Sequence, residues 1–308
     1  MVRWFGQIFV TLLTLSFPAA LSLPQQPLIV QSMATAPRRV AVTAIQPKVQ
    51  ASAVAAIDGS TGALLLAQAA DTPLPLASLT KLMTALVVVE NQPDWPALVT
   101  IQASDQRSGG QVVLEPGERV SRYDVFQLML VASSNEAAVS LARSTGLSHQ
   151  AFVAAMHRKA IALGLSSLRF VDVAGLEAGN AGTARDVARL GQAALRYPEI
   201  LEAVQRQSYA VTIRNTGETR RAAATNQLFE LMPPLDELHV VGGKTGYLDE
   251  VGYNYFVAFM QDGHAVSLAF LGVPTAEARW QESLRVGHWI FANYRWPRSG
   301  EERPLRGG

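Results

Sequence analysis

The chain has 308 residues, 49% of them hydrophobic and 17% charged, which supplies apolar material for a large buried core and excludes a mostly disordered chain. Its net charge is +1 and its arginines are scattered, so nothing in the charge pattern points to a nucleic-acid partner. No cysteine is present, which removes disulfides and cysteine-linked lipids and leaves stability to packing.

At the N-terminus, Arg3 precedes an apolar run from Ile8 to Phe17, followed by Pro18 and the small-residue stretch Ala19-Ala20-Leu21-Ser22. That layout predicts a secretory signal over 1–22, hence export to the periplasm. The run is shorter than the roughly 20 residues of a bilayer span, so cleavage leaving no stable membrane anchor is expected, with an uncleaved anchor as the alternative. Residues 23–50, rich in Gln, Ala and Pro without a period, read as a flexible lead-in.

A folded domain is expected over 51–296, followed by a polar tail over 297–308. Two apolar strand-length runs, 52–57 and 63–68, flank Asp58-Gly59-Ser60-Thr61-Gly62 and predict a β-hairpin. From 76 to 90 the period becomes helical, with Leu79, Leu82, Met83, Leu86 and Val87 three or four apart. Further helices are predicted over 123–144, 149–163 and 184–196, the last opened by a Thr183-x-x-Asp186 capping signal. Strands are predicted at 208–215, 239–245, 254–261 and 265–272. A final helix over 276–294 would align Trp280, Leu284 and His288. Strands at both ends with helices between predict one sheet completed by both ends of the domain, beside a helical lobe: an α/β class of the α+β kind. No internal repeat is visible.

Three short strings carry the chemistry: Ser78-Leu79-Thr80-Lys81, Ser133-Ser134-Asn135 and Lys244-Thr245-Gly246. Only four of the 26 basic residues are lysine, namely Lys48, Lys81, Lys159 and Lys244, and two of these lie inside the strings. Arginine supplies charge but cannot be deprotonated in a protein, whereas lysine can lose its proton when its surroundings disfavour the cation. Ser78 and Lys81, three apart on a helix, share a face, so the amine can activate the hydroxyl. Burial, the helix dipole and an approaching Lys244 would each favour the neutral amine. Ser133-Ser134-Asn135 follows the apolar helical run 125–131, where a turn can point alternate polar side chains into a cleft. Ser133 can relay a proton and Asn135 can hold a substrate amide, although Ser and Asn at a helix start also serve as plain caps. Lys244 and Thr245 can bind a carboxylate. Gly246 leaves room for an extended peptide to pair with the strand. The backbone N–H groups of Ser78 and Tyr247 are candidates for an oxyanion hole.

Together these strings resemble those of the penicillin-binding protein and serine β-lactamase superfamily. Within it the chain is similar to the low-molecular-weight D-alanyl-D-alanine peptidases of family S11. Supporting text includes Pro75-Leu76-Ala77 before Ser78, Glu115-Pro116-Gly117-Glu118, Gly175-Leu176, Thr183-Ala184-Arg185-Asp186 and Thr225-Asn226-Gln227-Leu228. The resemblance implies a β-lactamase/penicillin-binding transpeptidase-like fold. It also implies cleavage of peptidoglycan stem peptides through an acyl-enzyme on Ser78, covalent inhibition by β-lactams, and no metal or cofactor. The histidines, His149, His157, His239, His264 and His288, agree in lacking metalloprotease spacing.

Departures from the family pattern bear on the bond cleaved. Gly182 stands where Ser is frequent, and Leu248 and Val251 replace smaller or polar residues, which would alter pocket shape. The stretch Gly263-His264-Ala265-Val266-Ser267 lacks the arginine that family carboxypeptidases carry on the strand after the third string. The chain also stops soon after the catalytic domain, as in soluble D-Ala-D-Ala endopeptidases. A crosslink-cleaving endopeptidase is therefore expected, with a carboxypeptidase as the near alternative. A serine β-lactamase, with Glu177 in a deacylating loop, and a non-catalytic β-lactam sensor are the more distant ones.

Overall fold

The computed structural model describes residues 35–40, 45–232 and 237–297. The expected signal over 1–22 lies outside the described residues, as does all of the polar tail except Pro297. Of the expected lead-in, Gln46 donates to the Ala67 carbonyl at 2.7 Å and the Val49 N–H donates to Gln68 Oε1 at 2.9 Å. Arg38–Arg39 pairs with Tyr294–Arg295.

The predicted hairpin forms as β1 (Ala53–Asp58) and β2 (Leu64–Gln68). A single turn of 3-10 helix, Ala77–Leu79, runs into α1 (Thr80–Glu90), which is buried all round except at Glu90. Its apolar residues therefore form the centre of the helical lobe rather than one wet-sided stripe. The helix predicted over 123–144 is instead two, α2 (Arg122–Val131) and α3 (Asn135–Ser144). They are broken at Ser133, whose φ of 58° no α-helix accommodates. Next come α4 (His149–Ala162) and α5 (Ala184–Ala194). Thr183 caps α5 by accepting from the Asp186 N–H, but the Asp186 carboxylate turns away to Ser167, so only half of the expected capping box forms.

Among the elements without a counterpart in the predicted set are one helix and one strand of the middle of the chain. Helix α6 (Pro198–Gln205) starts with proline in its first turn. Strand β3 (Ser208–Thr212) has a partner in β4 (Thr219–Ala223). The chain then supplies β5 (His239–Leu248), β6 (Gly252–Gln261), β7 (His264–Val273) and α7 (Ala276–Asn293).

The main sheet is antiparallel in the order β5-β6-β7-β1-β2, so strands from both ends of the domain meet where β7 pairs with β1. Each face has its own core. Ala53, Ala55 and Ile57 of β1 join Phe256, Ala269 and the helical lobe, whereas Val54 and Ala56 join Val257, Phe259 and the α7 residues Val286 and Ile290. That alternation is the period of two of a strand buried on both sides. Gly191 lets α5 lie on the sheet, since a Cβ there would sit 2.1 Å from the Phe256 ring. In α7 the buried residues include Trp280, Ser283, Val286, Gly287 and Ile290, and His288 is exposed. The expected face through Trp280, Leu284 and His288 is thus rotated toward Gly287, where a Cβ would meet Leu238 at 2.9 Å and Phe259 at 3.1 Å.

Candidate active site

Edge strand β5 borders a cleft of about 670 Å³ whose lining includes Ser78, Ser133, Asn135, Thr245, Gly246 and Tyr247. The three strings, far apart in sequence, thus meet around one cavity. Lys81 Nζ donates to Ser78 Oγ at 2.9 Å, to Asn135 Oδ1 at 2.7 Å and to the Ala174 carbonyl at 2.7 Å. Lys244 Nζ donates to Ser133 Oγ at 2.7 Å and to the Thr245 carbonyl at 2.9 Å. Hydroxyl and amine are within proton-transfer reach in both pairs.

Each geometry has a local cause. The 3-10 turn and α1 hold Ser78 and Lys81 one turn apart, and Ala77 just before them takes a left-handed φ of 51°. A non-glycine residue in that region costs about 1–3 kcal/mol, and such strain gathers at functional sites. In the second string, Ser134 is the helix cap, accepting from the Ala137 N–H, while Ser133 and Asn135 on either side of it line the cavity. Capping and cavity lining are divided between alternate residues. Asn135 Nδ2 donates to the Ser108 and Gly109 carbonyls and so pins the 108–111 wall. A Cβ on Gly246 would lie 3.2 Å from the Ser78 nitrogen, so strand and nucleophile turn are nearly in backbone contact.

Both lysines are buried, at 0% exposed for Lys81 and 1% for Lys244. Loss of solvation lowers Lys81 to about 7, against the opposing pull of Asp172 and Glu136. Burial holds Lys244 well below the ordinary lysine range, and repulsion from Lys81 and Arg279 adds to this. Of the three effects expected at Lys81, burial dominates. Acylation of Ser78 should therefore rise as pH increases through about 7, falling about tenfold per unit on the acid side as the amine takes up its proton. A stopped-flow pH series with a β-lactam reporter checks this, and a flat profile between pH 5 and 8 would contradict it.

Beyond the three strings, Thr225, Tyr253 and Arg279 also line the cavity. Thr245 Oγ1 donates to Thr225 Oγ1 at 2.6 Å, which ties the 225–228 segment to the third string. Tyr247, half-exposed at the mouth, packs on Tyr253 and donates to Asp249. Arg279, near the start of α7, also lines the cavity, 8% exposed, and its Nε has no hydrogen-bond partner among the described residues. Burial lowers it to about 10, still a cation at neutral pH. An arginine is therefore present at the cavity, supplied by the last helix and not by the strand on which its absence was noted. The residues beyond β6 from Lys244-Thr245 are Ala269 and Phe270, not 263–267, which follow the turn at the far end of β6. Gly182 is likewise not at the cavity: a Cβ there would meet Leu168 at 2.4 Å, so glycine is kept for packing. Leu248 does line it.

A hydroxyl beside an amine that can be neutral, with a second amine and hydroxyl across the cleft, is the equipment of serine-dependent acyl transfer. The chain belongs to peptidase family S11, whose model, described as D-alanyl-D-alanine carboxypeptidase, matches residues 40–275. It is 30% identical to the D-alanyl-D-alanine endopeptidase of Pseudomonas aeruginosa over 80% of this chain and 79% of that protein. It is 29% identical to that of Escherichia coli over 83% and 82% respectively. The crystal structure of the Streptomyces K15 DD-transpeptidase superposes with a TM-score of 0.74 at 25% identity, covering 81% of this chain and 100% of that one.

Proposed function

We propose that the chain is a serine-type D-alanyl-D-alanine peptidase that cleaves peptide crosslinks in peptidoglycan, acting in the periplasm as a domain over 51–296 after loss of a signal over 1–22. The observation that carries this is the pairing of Lys81 Nζ with Ser78 Oγ and of Lys244 Nζ with Ser133 Oγ around one cavity. Ser78 Oγ attacks the D-alanyl carbonyl as its proton passes to neutral Lys81. The C–N bond breaks, the leaving amine receives a proton by way of Ser133, and water hydrolyses the ester. Asn135, through the lone pair its Oδ1 keeps beyond the Lys81 bond, accepts from the substrate amide N–H, and the N–H groups of Ser78 and Tyr247 receive the oxyanion. A β-lactam ring opened on Ser78 would leave the same ester, which makes such compounds covalent inhibitors.

Thr245 and Arg279, which line the cavity, offer a carboxylate subsite, and that subsite does not choose between bonds. Free D-alanine carries a carboxylate next to its amine, and so does a leaving amine at an amino-acid centre of a diamino acid. Crosslink cleavage is preferred because the two endopeptidase relatives align along about four-fifths of their lengths. Glu177, the carboxylate a β-lactamase reading would use for deacylation, is exposed and does not line the cavity.

Digestion of purified crosslinked muropeptide dimers should yield monomers with the parent protein and nothing with Ser78→Ala. Free D-alanine released from pentapeptide while dimers stay intact would instead establish the carboxypeptidase.

A further inference from the structure

Ser78 and Lys81 are gripped from outside their own helix by one loop, 171–180. Its Ala174 carbonyl accepts from Lys81 Nζ, and its Val173 carbonyl accepts from Thr84 Oγ1, each at 2.7 Å. On the other side of Ser78, the Leu76 N–H donates to the Asn180 carbonyl at 2.7 Å. Gly175 is seated against Ala77 so closely that a Cβ would lie 1.9 Å from the Ala77 oxygen. The loop therefore touches the chain immediately before and after the nucleophile.

One carboxylate organises this loop. Asp172 Oδ1 accepts from the Ala174 and Gly175 N–H groups at 2.6 Å each, and Oδ2 accepts from those of Leu176 at 3.1 Å and Glu177 at 2.9 Å. Four backbone donors converging on one side chain fix the peptide planes of 173–177, including the one that presents the Ala174 carbonyl to Lys81. Building on the proposed peptidase site, we propose that Asp172 is a positioning residue for the Ser78 and Lys81 pair, acting through the loop it folds and through its negative charge.

The charged groups around Lys81 define what its removal does. Asp172 comes from the loop, Glu136 from α3 and Lys244 from β5, with Arg279 of α7 acting on Lys244. Glu136 is tied up by the Val113 N–H at 2.8 Å. Without Asp172, the amine faces one carboxylate and a neighbouring amine, so the neutral form gains and the base stays active to lower pH. The weaker hold on the Ala174 carbonyl simultaneously displaces the amine and slows the reaction at every pH.

Asp172→Asn tests both effects, since it keeps the shape and one acceptor oxygen while removing the charge. The rate of Ser78 acylation by a fluorescent penicillin, measured from pH 5 to 9, should show its acid limb displaced downward by about one unit. The plateau should fall about tenfold relative to the parent. Glu177→Gln, an exposed carboxylate of the same loop, should move neither. If Asp172→Asn lowers the plateau but leaves the limb in place, Asp172 is structural only and the proposal is overturned. Should the variant melt far below the parent, the limb is read at low temperature, where its position does not depend on how much protein is folded. A parent without Ser78-dependent labelling would remove the site reading itself, and the proposal with it.

Discussion

Lys81→Arg should lower the rate of Ser78 acylation by about 10²–10⁴-fold, the span attached to loss of a positioned general base. Arginine preserves the charge and the reach but cannot serve as a neutral base at any pH at which the protein folds. If Lys81 acted only as a cation, holding Ser78 Oγ and Asn135 Oδ1 by hydrogen bonds, arginine would retain much of the activity. The contrast between the two accounts is therefore large. Because Lys81 is fully buried, the bulkier guanidinium could distort the site by volume alone. Lys81→Met, close in volume and uncharged, separates the effects: it should be as slow as the arginine variant while melting cooperatively. Rapid labelling of either variant by a fluorescent penicillin would eliminate Lys81 as the base.

The elements legible in the sequence were those whose signals are local. The 52–68 hairpin announces itself by a turn with two glycines between apolar runs, and α1 by apolar spacing that survives complete burial. The three strings were legible because their residue types are the chemistry. Features set by distant contacts were not. A turn at the second string was legible inside the predicted 123–144 helix, but the positive φ of Ser133, which no propensity favours in serine, was not; it is held there among Lys244 of β5 and the two helices it separates. Strand β4 reads Thr-Arg-Arg-Ala-Ala, which lacks an apolar alternation, and its Arg220 is instead engaged by Glu118 from the 115–118 turn. Arg279 lies on a helix, outside the 263–267 strand stretch that the family pattern pointed to. Only the register of β5, β6 and β7 reveals that the cavity end of the sheet runs out toward the start of α7. Asp172 left no signal at all, since its role is to bind four N–H groups within five residues of itself and the consequence appears on Lys81, 91 positions earlier.

That same loop supports the prediction with the largest effect on folding. Gly175→Ala would put a Cβ 1.9 Å from the oxygen and 2.4 Å from the carbon of Ala77, and 2.9 Å from Thr80 Oγ1. Two of the three are backbone atoms, so no rotamer change relieves the clash. Gly175 has φ 83°, unfavourable for alanine, and Ala77 opposite it is already left-handed at 51°, so neither partner has a relaxed conformation nearby. One of them must move. If the loop lifts away, the Ala174 carbonyl leaves Lys81; if the turn yields, Ser78 leaves the oxyanion position beside Gly246. Strain of this kind belongs among substitutions that cost more than about 4 kcal/mol. For a domain of this size that corresponds to a melting temperature lower by about 8–16 °C in calorimetry. In the fraction that remains folded, acylation should be slower by about 10²-fold, the penalty of an ångström-scale misplacement. A melting temperature within 2 °C of the parent together with an unchanged acylation rate would mean that the loop and the nucleophile turn are not mechanically coupled, and that the short approach at Gly175 carries no functional load.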